Sequence, residues 1–239
     1  MSSEHPNRAS ITKAKTVDTK QHLSLHFGGT MNSNKHLGRR DFLKVLTAAG
    51  ISSGFALQLG QHAVAQSAGI TDLDILNLAL TAEYLASDVY DQVIFCGFDG
   101  SIKEYLDAAR DQENVHVKAL QDTIRGAFKA TPVKRPEFVY PVSFNSKNQI
   151  PVLRLMNALE DAFVGAYLGA LPLIQNKDIL AAAGAILGNE CTHRCLIRQS
   201  RINLGDETVT GLQVPNDRAF ELPISASAAG AAVSSFIKK

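Results

Sequence analysis

The sequence has no tryptophan and little cysteine, the residue that builds disulfide frameworks and thiolate metal sites. Its 239 residues include only three cysteines: Cys96, Cys191 and Cys195. Their spacing matches neither a zinc site nor a disulfide framework, so we expect buried structural thiols. Chemistry that depends on clustered thiolates is therefore not indicated.

An excess of basic residues is also lacking once the N-terminal region is set apart. The chain has 24 basic and 23 acidic residues, but 8 of the former and 3 of the latter precede residue 66. The remaining 16 basic and 20 acidic residues give a formal net charge of −4. We therefore predict no nucleic-acid partner.

Residues 1–65 have the features of a targeting segment. The twin-arginine pattern of two arginines, any residue, then Phe, Leu and Lys is met by Arg39, Arg40, Phe42, Leu43 and Lys44. An apolar run follows over residues 45–59, which is short for a membrane span, and small residues precede a cleavage point after Ala65. We predict a cleaved signal peptide that engages the twin-arginine translocation machinery. A basic helix start before a buried or membrane-anchoring helix is the alternative.

The predicted mature chain is thus periplasmic or otherwise exported, with no stable membrane anchor after cleavage. Apolar residues recur in it with helical spacing in four segments, which span about residues 73–95, 101–128, 150–171 and 177–202. A segment with three prolines at 129–149 separates the second from the third. These features predict an all-α four-helix bundle over residues 66–202 with a long crossover between helices 2 and 3. A C-terminal tail, residues 203–239, follows with a short helix.

Histidine is scarce in the mature chain, and its placement is informative. Five of the seven histidines precede residue 66, and both of the others end a Glu-x-x-His motif. A further glutamate precedes each motif at the same distance, and the second set repeats the first at one constant offset along the chain. The two sets together comprise Glu83, Glu113, His116, Glu160, Glu190 and His193. A tyrosine lies two helical turns after each lone glutamate, at Tyr90 and Tyr167.

The distance from each lone glutamate to its motif suits two antiparallel helices. From Glu83 to the end of its predicted helix, and from the start of the next to Glu113, are about 12 residues each, or about 18 Å at 1.5 Å per residue. The two glutamates therefore lie at the same height along the bundle axis. The same argument places Glu160 and Glu190 at a common height. Residues three apart share a helix face, so each Glu-x-x-His can bind one ion.

Burying a carboxylate among apolar neighbours carries a large desolvation free energy unless the carboxylate is paired or binds a metal. A lone Glu-x-x-His is usually a solvated surface feature, but both histidines and both upstream glutamates fall into one pattern here. Four carboxylates are neutralised by two divalent cations, and an oxygen and nitrogen ligand set suits iron or manganese. We predict two Fe ions, with Mn or a mixed Mn/Fe pair as the alternative.

This arrangement resembles the ferritin-like superfamily of di-iron and di-manganese carboxylate proteins over about residues 70–202. The opening helix at 74–85 and the ending at 219–223 are similar to an exported ferritin-like domain family that includes plant desiccation-related proteins. The resemblance implies that Glu113 and Glu190 bridge the metals. It also implies that each remaining glutamate caps one ion and each histidine binds one.

The resemblance leaves the reaction open among several hypotheses. The first is a non-haem di-iron oxidoreductase that reacts with O₂ or H₂O₂ as a ferroxidase or in peroxide detoxification under stress, with Tyr90 or Tyr167 supplying an electron. Gln112 and Asn189 stand where some iron-storage relatives are acidic, which argues against storage. The alternatives are a manganese-catalase-like enzyme, an organic-substrate oxygenase, and a non-enzymatic metal-binding stress or desiccation protein. Assembly into a homo-oligomer is left open.

Overall fold

The computed structural model describes residues 69–239. The predicted signal peptide, its cleavage point after Ala65 and the start of the mature domain at residue 66 lie outside the described residues. The described part contains five α-helices and no β-strand, which confirms the predicted all-α fold. They are α1 (Asp72–Val93), α2 (Gly100–Phe128), α3 (Gln149–Ala170), α4 (Lys177–Asn203) and α5 (Ala226–Ser234).

Local signals set where the first helix begins and ends. The Thr71 side chain accepts from the backbone N–H of Asp74, and the Asp74 carboxylate accepts from the backbone N–H of Thr71, which forms a capping box. After α1, a short 3-10 helix (Ile94–Cys96) ends at Gly97, whose φ of 64° is left-handed. This turn reverses the chain into α2.

The four long helices form two antiparallel pairs, because α1 packs mainly against α2 and α3 mainly against α4. Apolar side chains fill the interior in two clusters. One, around Leu85, Val89 and Met156, lies toward the turn between α1 and α2. The other, around Leu80 and Ile179, lies toward the opposite end. Ala82 of the first cluster and Tyr84 of the second flank Glu83 in α1, so the two clusters meet at the height of this glutamate.

The segment between α2 and α3 is an ordered crossover that lies along α1. The Tyr84 hydroxyl donates to the carbonyl of Val133 at 3.3 Å, and the Tyr140 hydroxyl donates to Asp88 at 2.6 Å. Further on, the N–H of Val139 donates to the carbonyl of Phe236 at 2.8 Å. The crossover is therefore hydrogen-bonded both to the first helix and to the C-terminal segment.

The tail after α4 packs back on the bundle. Arg194, 1% exposed, lies 2.8 Å from Glu221 and 3.5 Å from Asp217 in ion pairs. The chain then passes over α3, where the N–H of Ile224 donates to the carbonyl of Gly165 at 2.9 Å, and α5 packs on α1 and α3. No helix in the described part has the length and apolarity to cross a membrane.

Candidate metal centre

Each of the four long helices contributes one buried glutamate to the middle of the bundle. Glu83 comes from α1, Glu113 from α2, Glu160 from α3 and Glu190 from α4. Their exposed fractions are 2% or less. The two histidines lie one turn after Glu113 and Glu190, and they are also buried. The structure therefore brings together all six of the side chains that we predicted as metal ligands.

These six side chains form two overlapping clusters. One contains Glu83, Glu113, His116 and Glu190, and the other contains Glu113, Glu160, Glu190 and His193. Within each cluster, one potential ligand atom per residue lies within 4.8 Å of the others. Glu113 and Glu190 belong to both clusters. Two adjacent positions that share two carboxylates are the arrangement that a pair of cations requires.

The histidine nitrogens face the carboxylates as ligands would. His116 Nδ1 lies 3.3 Å from Glu83 Oε2 and 3.2 Å from Glu190 Oε1. His193 Nδ1 lies 2.7 Å from Glu113 Oε1, yet neither atom has a partner with hydrogen-bond geometry. The ring nitrogens thus point at the space between the carboxylates.

Unpaired polar atoms are concentrated at this position. Ten buried side-chain nitrogen or oxygen atoms among the described residues lack a hydrogen-bond partner, and eight of them belong to these six residues. Leaving a buried polar atom unpaired costs about 1–3 kcal/mol, and more where the group is charged. A bound cation removes this cost, so the residues present fit a metal site.

Two of the carboxylates and both imidazoles of the site have raised pKa values, which favour their protonated forms. Burial raises the pKa of Glu113, and burial followed by the charge of Glu190 raises the pKa of Glu160 well above its usual range. Burial alone would lower the pKa of His116, but contact with three carboxylates outweighs it and raises this pKa to about 12. The same balance raises the pKa of His193 to about 10. Protons and metal cations would therefore compete for the carboxylates and imidazoles of this site.

Both predicted tyrosines contact the site, but each serves the glutamate of the other repeat. The Tyr90 hydroxyl donates to Glu160 Oε1 at 2.7 Å, and the Tyr167 hydroxyl donates to Glu83 Oε1. Burial first, and then the neighbouring carboxylate, raises the pKa of both phenols well above 10. The tyrosines are therefore neutral donors that leave the second oxygen of each glutamate without a partner.

Two further residues complete the site, and no motif in the sequence indicates these roles for them. The Tyr105 hydroxyl lies 3.2 Å from that of Tyr90 and donates to the carbonyl of His193 at 3.1 Å. Gln112 Oε1 lies 2.8 Å from His193 Nε2. An amide oxygen can only accept, so Nε2 carries a proton, and Nδ1 is the nitrogen that a metal ion would bind after displacing any proton there. Tyr105 has no counterpart in the repeat, and the sequence marks Gln112 only as a departure from an acidic residue.

The fold and this set of side chains define a helical bundle of the ferritin-like class, with a buried group of glutamates and histidines that could hold a metal ion. The chain matches the ferritin-like domain family over residues 71–202, and it belongs to that family. The match extends over α1 to α4, the elements that supply all six side chains. No curated protein matched the chain.

Proposed function

We propose that the protein binds two iron ions and acts as a non-haem di-iron oxidoreductase toward O₂ or H₂O₂, in ferroxidase or peroxide-detoxifying chemistry. The observation that carries the proposal is the set of eight unpaired buried atoms on six converging side chains. A mixed carboxylate and imidazole set favours iron or manganese over metals that seek thiolates. No cysteine belongs to either cluster among the described residues.

Each residue has a distinct part in this proposal. Glu113 and Glu190 would hold both ions, because they belong to both clusters. Glu83 with His116, and Glu160 with His193, would each complete the shell of one ion. When bound, an iron pair supplies two electrons to O₂ or H₂O₂.

The surrounding side chains would orient the ligands and keep water out. Tyr90 and Tyr167 each hold one glutamate oxygen, and Gln112 holds the outer nitrogen of His193. Both tyrosines are oxidisable and contact the glutamates, so either could supply one electron, with its phenol proton passing to the carboxylate that it already contacts. Tyr105 extends the contact from Tyr90 toward the backbone of α4.

We also propose that the protein is exported by the twin-arginine pathway as a member of the exported, desiccation-related branch of its family. The support for export is the pattern around Arg39 and Arg40 and the small residues before position 66. The support for the branch is the resemblance at residues 74–85 and 219–223. Twin-arginine export carries folded proteins, which suits metal loading before translocation. Arg39→Lys combined with Arg40→Lys should abolish export, and the mass of the exported protein should show cleavage after Ala65. Export that is unaffected by the double replacement would contradict this proposal.

The decisive experiment on the site compares the metal content of two variants. The purified protein should contain about two ions per chain, and Glu113→Ala should lose them. Glu104→Ala removes an exposed glutamate from the same helix and should retain full metal content. Equal metal content in both variants would contradict the proposed site.

Redox activity requires a separate test. The protein should be loaded anaerobically with Fe(II) and then mixed with O₂ or H₂O₂, and we expect a transient absorbance that Glu113→Ala lacks. If the protein binds two ions but does not react with O₂ or H₂O₂, the proposed metal site stands and the proposed oxidoreductase activity is contradicted. Elemental analysis of protein from its native compartment distinguishes iron from manganese.

A further inference from the structure

The bundle contains an apolar cavity at the end away from the turn between α1 and α2, and the cavity opens to the surface. Its volume is about 250 Å³, and its wall comes from all five helices and the turn before α4. Protein interiors are close-packed, with few voids larger than a water molecule. An engineered apolar cavity of about 150 Å³ is enough to bind benzene. The cavity in this protein is therefore large enough for a sizeable ligand.

The cavity extends from the candidate metal centre to the surface. Its inner wall includes Tyr167, whose hydroxyl donates to Glu83. Its outer wall includes Asn176 and Asp178, which are exposed. Along α3 the lining runs from Leu159 to Ala170, which at 1.5 Å per residue is about 16 Å. A long, narrow molecule suits these dimensions better than a compact one.

The lining is apolar and is kept open by small side chains. Alanine is the most frequent residue type in the wall, and leucine and isoleucine supply most of the rest. Asp178, at the open end, is the only one of these described lining residues that is charged at neutral pH. An apolar chain would gain by leaving water for this wall, whereas a negatively charged head group would meet a carboxylate at the mouth.

We propose that this cavity binds a neutral molecule with an aliphatic chain, one end of which lies beside Tyr167. Binding depends on the shape and apolarity of the wall and not on bound metal. A role for that molecule as an organic substrate of the metal centre would rest on the proposed function, but the binding site itself does not.

The test uses 1-decanol as the probe and the purified full chain, both metal-free and metal-loaded, with binding measured by calorimetry. Ala183→Phe places a large side chain at a buried position of the wall on α4. Ala181→Phe makes the same change at an exposed position on the same helix, outside the wall. We expect saturable binding by the wild type, a loss of at least about tenfold for Ala183→Phe and an unchanged affinity for Ala181→Phe.

Decanoate supplies the charge comparison, and it should bind more weakly than 1-decanol. Ala79→Phe, on the α1 side of the wall, repeats the test should Ala183→Phe fail to fold. The proposal is overturned by absence of saturable 1-decanol binding, by equal losses at residues 181 and 183, or by tighter binding of decanoate. Binding by the metal-free chain separates this result from any failure of the metal proposal.

Discussion

Tyr167 of α3 donates a hydrogen bond to Glu83 of α1, although α3 makes its main contacts with α4. Tyr90 of α1 makes the reciprocal bond to Glu160 of α3 at 2.7 Å. The two halves of the internal repeat are therefore tied to each other through glutamates of the candidate metal centre. Each bond occupies one carboxylate oxygen and leaves the other facing the centre of the site.

Removing one of these hydroxyls should weaken metal binding. For Tyr167→Phe we expect affinity to fall by about 10–100-fold, because Glu83 loses the partner that orients it. Tyr140→Phe is the matched control, since it removes a 2.6 Å hydrogen bond to Asp88 outside the site. Titration against a competing chelator measures both. A similar loss in the two variants would show that Tyr167 acts only through general stability.

Loss of the Gln112 amide should weaken the half of the site that contains His193. The amide oxygen holds Nε2 of this histidine at 2.8 Å, so Gln112→Ala frees the ring to adopt the wrong tautomer or orientation. We expect weaker binding of one of the two ions, seen as a separation of the two binding steps in a metal titration. Gln121 lies on the same helix and donates a hydrogen bond to Tyr84, so Gln121→Ala is the control and should leave both steps unchanged.

Metal binding should release protons and strengthen as the pH rises. The pKa values of His116 and His193 are raised to about 12 and about 10, so both rings stay protonated at neutral pH without metal. A cation must displace these protons, and each increase in pH toward those values lowers that cost. Calorimetry in buffers of different ionisation enthalpy should show release of at least about one proton per chain. A binding heat that is independent of the buffer would contradict this prediction.

A methyl group at Gly169 should destabilise the protein by displacing the tail. A Cβ there would lie 1.9 Å from the carbonyl oxygen of Ile224, a backbone atom that cannot rotate away. We expect Gly169→Ala to lower the free energy of unfolding by about 3 kcal/mol in denaturant titrations. Gly184→Ala has open space around its Cβ and should raise stability by about 0.5–1 kcal/mol. Wild-type stability in Gly169→Ala would mean that the tail does not lie against α3.

The helices themselves could be predicted closely from the sequence. The predicted spans of 73–95 and 150–171 compare with Asp72–Val93 and Gln149–Ala170 in the structure. The short Ala-rich helix expected in the tail is Ala226–Ser234. Apolar periodicity, caps and turn residues act within a few positions of the chain, so they can be recognised without knowing what packs against them.

The convergence of the glutamates and histidines could also be predicted, because it depends on a regular quantity. The stretch from Glu83 to Glu113 divides into two antiparallel legs of similar length, and the helical rise converts equal legs into a common height. Metal identity, reactivity and export stay predictions that need the experiments above.

The exchange of tyrosines between the halves, the contact of Gln112 with His193, the position of Tyr105 and the apolar cavity emerged only in the tertiary structure. The sequence by itself determined the helices, their order and the six side chains at one level, since local spacing sets all three. The other features depend on which faces of different helices meet and how closely the tail approaches α3. Those contacts join residues tens of positions apart, and no spacing along a single helix specifies them.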